Sequence, residues 1–394
     1  MSVSQRTLGL FTILIVTLFI VAGCNHENED SPEDTNIALP ASDNLLLGRW
    51  GYSRLRYKNS GQWALKFGEI IFNEDGTGSN QWQQNNSGAL QTVNNTFSYS
   101  VLKGSDASFS ITRLESDGST KVDRYVLSDD GQALIVDGAA MSDRQFLWVG
   151  VKIAEDTSFS LADLQGDYYG LDYRTFLNGR TSAGSSLINF DGQGEFTIQI
   201  TFNRGAGLEQ INDSGSYTVL GSHQFMVGPF TGYFNANAIF GVASILNNDN
   251  IFNSHFYLHK AGQSYDPADI EGQWAFVGFG DHDITNPNVR AEFGHINCDA
   301  DGQCLFTLRI IRSDGTVDTI AVTEQLTLAA NGSLSGGLVA SSAPSYGAVV
   351  GSGGNIMLIN ASTGFSDVNS EDRAIGLAIR CSECSSLILE QTVH

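Results

Sequence analysis

Cys298, Cys304, Cys381 and Cys384 stand close together toward the C-terminal end of the chain. A thiol can be oxidised, ligate a metal or act as a nucleophile. An even number of thiols in an exported chain reads first as disulfides. Cys298 and Cys304 flank Asp301-Gly302 and so can face each other across a hairpin, while Cys381 and Cys384 can close a short loop. Crossed pairings satisfy the same residues, because sequence does not fix connectivity. The alternative is a four-thiolate zinc site, for which Cys381-x-x-Cys384 has ligand spacing and Cys298 to Cys304 is loose. A redox role for Cys381-Ser382-Glu383-Cys384 would need a βαβ setting that the surrounding residues lack.

Asp281-His282-Asp283 with His295 is where histidine and carboxylate cluster. These types can bind a transition metal, but a polar loop after the first strand of module three is the preferred reading, and no metal or other cofactor is expected. The acidic turns Asn73-Glu74-Asp75-Gly76 and Asp299-Ala300-Asp301-Gly302 lack the later carboxylate of a calcium loop, so hairpin geometry explains them. Asp213-Ser214-Gly215 has a serine after an acid, but no histidine motif accompanies it. Gly-x-Ser-x-Gly, P-loop and His-Glu-x-x-His motifs are absent. No catalytic residue is therefore assigned, and the chain is read as non-enzymatic.

The elements that must position such residues come in triplicate. Leu46-Leu47-Gly48-Arg49-Trp50, Asp163-Leu164-Gln165-Gly166-Asp167-Tyr168 and Asp269-Ile270-Glu271-Gly272-Gln273-Trp274 are three copies of one opening. Each is followed by a strand-turn signal (Phe72 to Gly78, Phe190 to Gly194, Cys298 to Gln303) and later by an alternating segment around Tyr99, Tyr217 or Leu326. Each module ends on an apolar strand with a basic residue: Lys152, Lys260 or Arg380. Period-two alternation, as in Phe196, Ile198, Ile200 and Phe202, marks half-buried antiparallel strands. Recurrent Asp-Gly and Asn-Gly pairs supply the positive φ of hairpin turns. The expected fold is all-β: three tandem antiparallel meander modules, each a small barrel or a sandwich, over 45–153, 161–262 and 268–380, with a C-terminal tail over 381–394. Module three alone has the paired cysteines and a Gly/Ser/Ala-rich stretch from Asn331 to Gly354; if one module is specialised, this is the one expected.

Ahead of the modules, an apolar run from Leu8 to Ala22 follows Arg6 and ends in Val21-Ala22-Gly23-Cys24. This resembles the lipobox of bacterial lipoproteins, which implies a signal peptide over 1–23 and lipidation of Cys24. Asn25 follows instead of the aspartate that marks inner-membrane retention in the enterobacterial family, which implies the outer membrane; whether its periplasmic or surface face is left open. Residues 24–44 carry Glu27, Glu29, Asp30, Glu33, Asp34 and Asp43 with no basic residue, a composition expected of a disordered tether. The net charge of −22 excludes nucleic acid as an expected partner, because phosphate backbones require positive patches.

The opening Gly-x-Trp resembles the first motif of lipocalins and related bacterial lipocalin-like barrels. The resemblance implies that Gly48, Gly166 and Gly272 turn the chain into a first strand. It also implies that Trp50, Tyr168 and Trp274 plug one barrel end, each packed by a basic side chain from the last strand. Module two departs from the motif with Tyr168. The expected function is non-enzymatic: a membrane-anchored protein that binds a small apolar ligand in a barrel or an envelope protein on its surface. The alternatives are a surface adhesion or assembly protein, and an envelope hydrolase.

Overall fold

The structure is a computed structural model. It describes residues 45–384 apart from 59, 87–88, 104–107, 138–143, 156–158, 177–178, 204–207, 247–252, 263, 282–287, 337–347, 352, 361–372 and 383. Cys24, the tether, His282, Asp283 and residues 385–394 lie outside the described residues.

Three closed eight-stranded barrels follow one another along the chain. Barrel 1 comprises β1 (Gly48–Lys58), β2 (Gln62–Phe72), β3 (Thr77–Asn86), β4 (Ala89–Lys103), β5 (Ser108–Glu115), β6 (Thr120–Leu127), β7 (Ala133–Val136) and β8 (Arg144–Ile153). Barrel 2 comprises β9 (Gly166–Thr175), β10 (Thr181–Phe190), β11 (Glu195–Asn203), β12 (Leu208–Gly221), β13 (Gln224–Val227), β14 (Phe230–Phe234), β15 (Phe240–Leu246) and β16 (Asn253–Lys260). Barrel 3 comprises β17 (Gly272–Asp281), β18 (Arg290–Cys298), β19 (Gln303–Arg312), β20 (Val317–Leu328), β21 (Ser333–Gly336), β22 (Ala348–Val350), β23 (Ile356–Asn360) and β24 (Arg373–Arg380). Every pairing is antiparallel between sequence neighbours, and the last strand of each barrel closes on the first. Of the two architectures left open by the alternation, the structure is the barrel.

The motif glycines have φ of +97°, +118° and +121° at Gly48, Gly166 and Gly272, a region that side chains with a Cβ avoid. Just before two of them the chain makes one 3-10 turn, Leu161–Leu164 and Pro267–Ile270. In both, the backbone N–H of the residue just before the turn donates to an aspartate three residues on: Ser160 to Asp163 and Asp266 to Asp269. Trp50 and Trp274 then enter the barrels fully buried, each indole N–H donating to the carbonyl four residues earlier, Leu46 at 2.8 Å and Ile270 at 3.0 Å. Register places Lys152 opposite Trp50, Lys260 opposite Tyr168 and Arg380 opposite Trp274. The cations lie 4.6, 5.6 and 4.5 Å from the three ring centroids, in reach of the ring quadrupole.

Each barrel has its own aromatic-rich interior. A fourth core belongs to no single barrel. Leu55, Trp63 and Phe67 of barrel 1, Tyr173 and Tyr257 of barrel 2, and Phe279 of barrel 3 are among the outward residues that pack together at the junction of the three. Trp63 lies 6.0 Å from Tyr173 and 5.9 Å from Phe279, centroid to centroid. The first and last strands are therefore buried on both faces, as the near-continuous burial of β8, β16 and β24 shows. The expectation of one polar face per strand fails for these closing strands, because the neighbouring barrels replace solvent on their outer side.

The fourth strand of each barrel is long, and its first half is paired on one side only. β12 meets β13 from Tyr217 onward, and β20 meets β21 only over Leu326–Leu328. In barrel 1, β4 meets β5 from Phe97 onward.

Candidate functional site

Barrel 2 contains an apolar cavity of about 290 Å³. Phe190, Phe196, Ile198, Phe225, Phe230 and Phe256 line it, projecting inward from β10, β11, β13, β14 and β16. Its cause is local. β13 is four residues long and ends at Val227, after which Gly228-Pro229 turns the chain away. The first half of β12 is thus left without a neighbour on that side, and Phe196 and Ile198 stay only partly buried. Asp213, Ser214 and Gly215 of β12 and the Gly228-Pro229 turn form the rim. Rings from five strands leave a space that dispersion contacts with an apolar guest would fill.

The motif end of barrel 2 is shut. Tyr168 packs edge-on against Phe190 and Phe234 at 5.3 and 5.5 Å, and its hydroxyl donates to the Ala238 carbonyl at 2.7 Å. Elsewhere on the inward face of β9, buried Asp172 accepts from the Ser254 hydroxyl at 2.9 Å and is ion-paired with Arg174. Burial raises the Asp172 carboxyl above its ordinary range, and Arg174 opposes that shift. Barrel 3, the module expected to be specialised, carries Trp274, Phe276 and Phe306 with the Cys298–Cys304 disulfide in its interior. The apolar cavity lies in barrel 2 instead. The sequence signal that could have found it is the density of phenylalanine between Phe190 and Phe256.

The remaining sequence candidates are dispersed. Asp281 is buried at the junction of barrels 2 and 3, where its carboxylate accepts from Thr181 at 2.6 Å and pairs with Arg373 at 2.9 Å. His295 sits on β18 opposite Ala275, whereas the β18 residue level with Phe279, two before Asp281, is Ala291. Asp281 and His295 are thus separated by about six residues, or roughly 20 Å, along the sheet, and the structure does not bring them together. Among the described residues no group of three or more His, Cys, Asp or Glu could hold a metal ion. Cys298 pairs with Cys304 across the β18–β19 hairpin, and Cys381 pairs with Cys384 just past β24. Asp213-Ser214-Gly215 lies within β12, with the Asp213 carboxylate accepting from the Ser214 backbone N–H at 2.8 Å.

One constellation was missed by sequence reasoning. Ser53 of barrel 1 meets Ser244 at 2.6 Å and the His255 Nδ1 at 2.5 Å, both in barrel 2; the His255 Nε2 contacts the Tyr257 hydroxyl. A serine hydroxyl on an imidazole is the geometry of a nucleophile and its base. Here all four residues are buried, and burial pulls His255 down to about 3. An imidazole brought this low is a weak proton acceptor, and its full burial keeps substrate away, so the geometry does not make a working nucleophile and base. The cluster instead hydrogen-bonds barrel 1 to barrel 2.

No protein-family model matches this chain, and no curated protein matches it. Among solved structures, a protein of unknown function from the DUF3598 family of Nostoc punctiforme is similar over 71% of this chain and 95% of its own, at 10% identity and a TM-score of 0.15. MucB, solved in complex with MucA(peri), is similar over 56% of this chain and 92% of its own, at 13% identity and a TM-score of 0.15. Superpositions this loose carry no functional argument.

Proposed function

We propose that this chain is a non-enzymatic binding protein of the bacterial cell envelope, lipid-anchored through Cys24, that carries a small apolar molecule in barrel 2. The observation that supports the reading is the cavity of about 290 Å³ walled by phenylalanine beneath the short strand β13. Its volume is at the small end for ligand pockets, which favours a compact guest over a long acyl chain. The anchor rests on the lipobox residues Val21-Ala22-Gly23-Cys24, and the outer membrane on Asn25.

A fluorescence titration with N-phenyl-1-naphthylamine, a neutral apolar probe, tests the cavity. Saturable enhancement is expected, and Ala243→Phe, which places a ring in the cavity wall, should abolish it while the chain stays folded. Unsaturable enhancement, or equal binding by the variant, would remove the carrier reading. Incorporation of labelled palmitate that disappears in Cys24→Ala tests the anchor separately.

A further inference from the structure

The interior of barrel 1 breaks the apolar rule. Along β1, Leu55 and Tyr57 point outward into the three-barrel junction, so Trp50, Tyr52 and Arg54 alternate inward. Directly opposite Arg54 in the β1–β2 register stands Lys66. Two cations thus face each other on neighbouring strands inside a barrel, an arrangement that like-charge repulsion disfavours. Neither makes an ion pair with a described carboxylate. Each lies instead on a ring: the Arg54 guanidinium is 4.4 Å from the Phe146 centroid and the Lys66 ammonium 4.2 Å from that of Trp82.

The inward carboxylates across the barrel are already engaged. Glu115 is held by Arg113 at 3.4 Å and by Lys121 at 3.0 Å, and Asp123 is ion-paired with Arg113. Buried donors nonetheless remain unsatisfied: the Nε of Arg54, the Nε of Arg113, the Tyr125 hydroxyl and the Trp148 indole N–H have no hydrogen-bond partner. Among the described residues, Arg54, Arg56, Lys66, Arg113 and the half-exposed Lys121 thus stand on the inward face with Glu115 and Asp123, in a chain whose net charge is −22. A native interior rarely leaves this many donors unmet without a group to receive them.

We propose that barrel 1 binds a small organic oxyanion, a carboxylate or phosphate ester, between the Arg54–Lys66 pair and the free donors of Arg113, Tyr125 and Trp148. The aromatic partners supply no negative charge; burial, and then Arg54 beside it, brings the Lys66 ammonium down to about 7, and an oxyanion between the two cations would restore its full charge. Arginine forks suit carboxylate and phosphate oxygens. Net charge alone is silent on this, because it sums an acidic exterior with a basic interior.

Phenyl phosphate is the probe, with phenol as its uncharged counterpart, added to the full-length protein. Trp82 and Trp148 lie at the site, so tryptophan emission reports binding there, and barrel 2 contains no tryptophan. Saturable change with phenyl phosphate and none with phenol is expected. Arg54→Met and Lys66→Met should each weaken binding about tenfold or more, the loss of one charge-assisted contact. Arg312→Met removes the same charge from an ion pair of barrel 3 and should leave affinity unchanged. Without the probe, both barrel 1 variants should unfold no earlier than the parent, because a repulsive pair has been relieved. Phenyl phosphate binding no tighter than phenol would overturn the proposal. So would unchanged affinity in both barrel 1 variants accompanied by a loss of stability, since the cations would then be structural.

Discussion

Ser53 and His255, 202 residues apart in sequence, meet at 2.5 Å where barrel 1 docks on barrel 2. Both are fully buried, and the imidazole is held neutral, at about 3, by burial. His259 is likewise brought down to about 4. In the unfolded chain both titrate near 6.5, so between 6.5 and the folded values the unfolded state binds more protons. Stability is therefore complete above about pH 6.5 and falls as pH drops through the window toward 4, by about 1 kcal/mol per pH unit for each histidine. Urea unfolding at a series of pH values should show this slope. His255→Gln, which hydrogen-bonds but does not titrate, should reduce it. An identical slope in the variant would mean that other groups carry the acid sensitivity.

The three basic side chains at the motif ends differ in what they hold. Arg380 donates to the Gly354 carbonyl at 2.9 Å and the Glu271 carbonyl at 2.5 Å, as well as to Asp269, besides covering Trp274. Lys260 is only near the Tyr168 ring, at 5.6 Å. Arg380→Met should cost about 2–3 kcal/mol, and Lys260→Met about 1 kcal/mol or less. Chemical denaturation of the two variants gives the order, and a larger loss for Lys260→Met would contradict it.

Gly351 lets barrel 3 approach barrel 2. A Cβ at this position would fall 1.7 Å from the His259 Nδ1, closer than any packing tolerates. Gly351→Ala should therefore destabilise by about 1–3 kcal/mol, and His259→Ala in the same chain should restore much of it. A double-mutant cycle measures that coupling. Additive losses would place the strain somewhere other than this contact.

The barrels were legible because alternation, Asp-Gly turns and the thrice-repeated opening all report on local backbone. Gly48, Trp50 and Lys152 belong to one motif whose parts are adjacent on β1 and β8, and their pairing follows from register once the barrel closes. The choice between barrel and sandwich was not legible, because both bury alternating residues. The face assignment of β1 was hidden for a different reason. Leu55, Tyr57, Trp63 and Leu65 are apolar but serve the junction, and the intervening Arg54 and Lys66 go inside. Alternation gives two faces and does not say which is which when both are buried. The contacts of Ser53 with His255 and of Asp281 with Arg373 and Thr181 join residues far apart in the chain, with no local signal to announce them.

The shared core at the junction also bears on the order in which the chain is delivered. Barrel 1 can close as soon as β8 is available, but Leu55, Trp63, Leu65 and Phe67 on its outer wall have nothing to rest against until barrels 2 and 3 exist. Delivered from its N-terminus, whether by a ribosome or across a membrane, the chain presents barrel 1 before the remaining ~240 residues. For that interval a finished barrel displays a sticky wall to every neighbouring molecule. A truncated chain ending after Ile153 would display it permanently. Repetition has produced three copies of one architecture, none of which is complete while it stands alone.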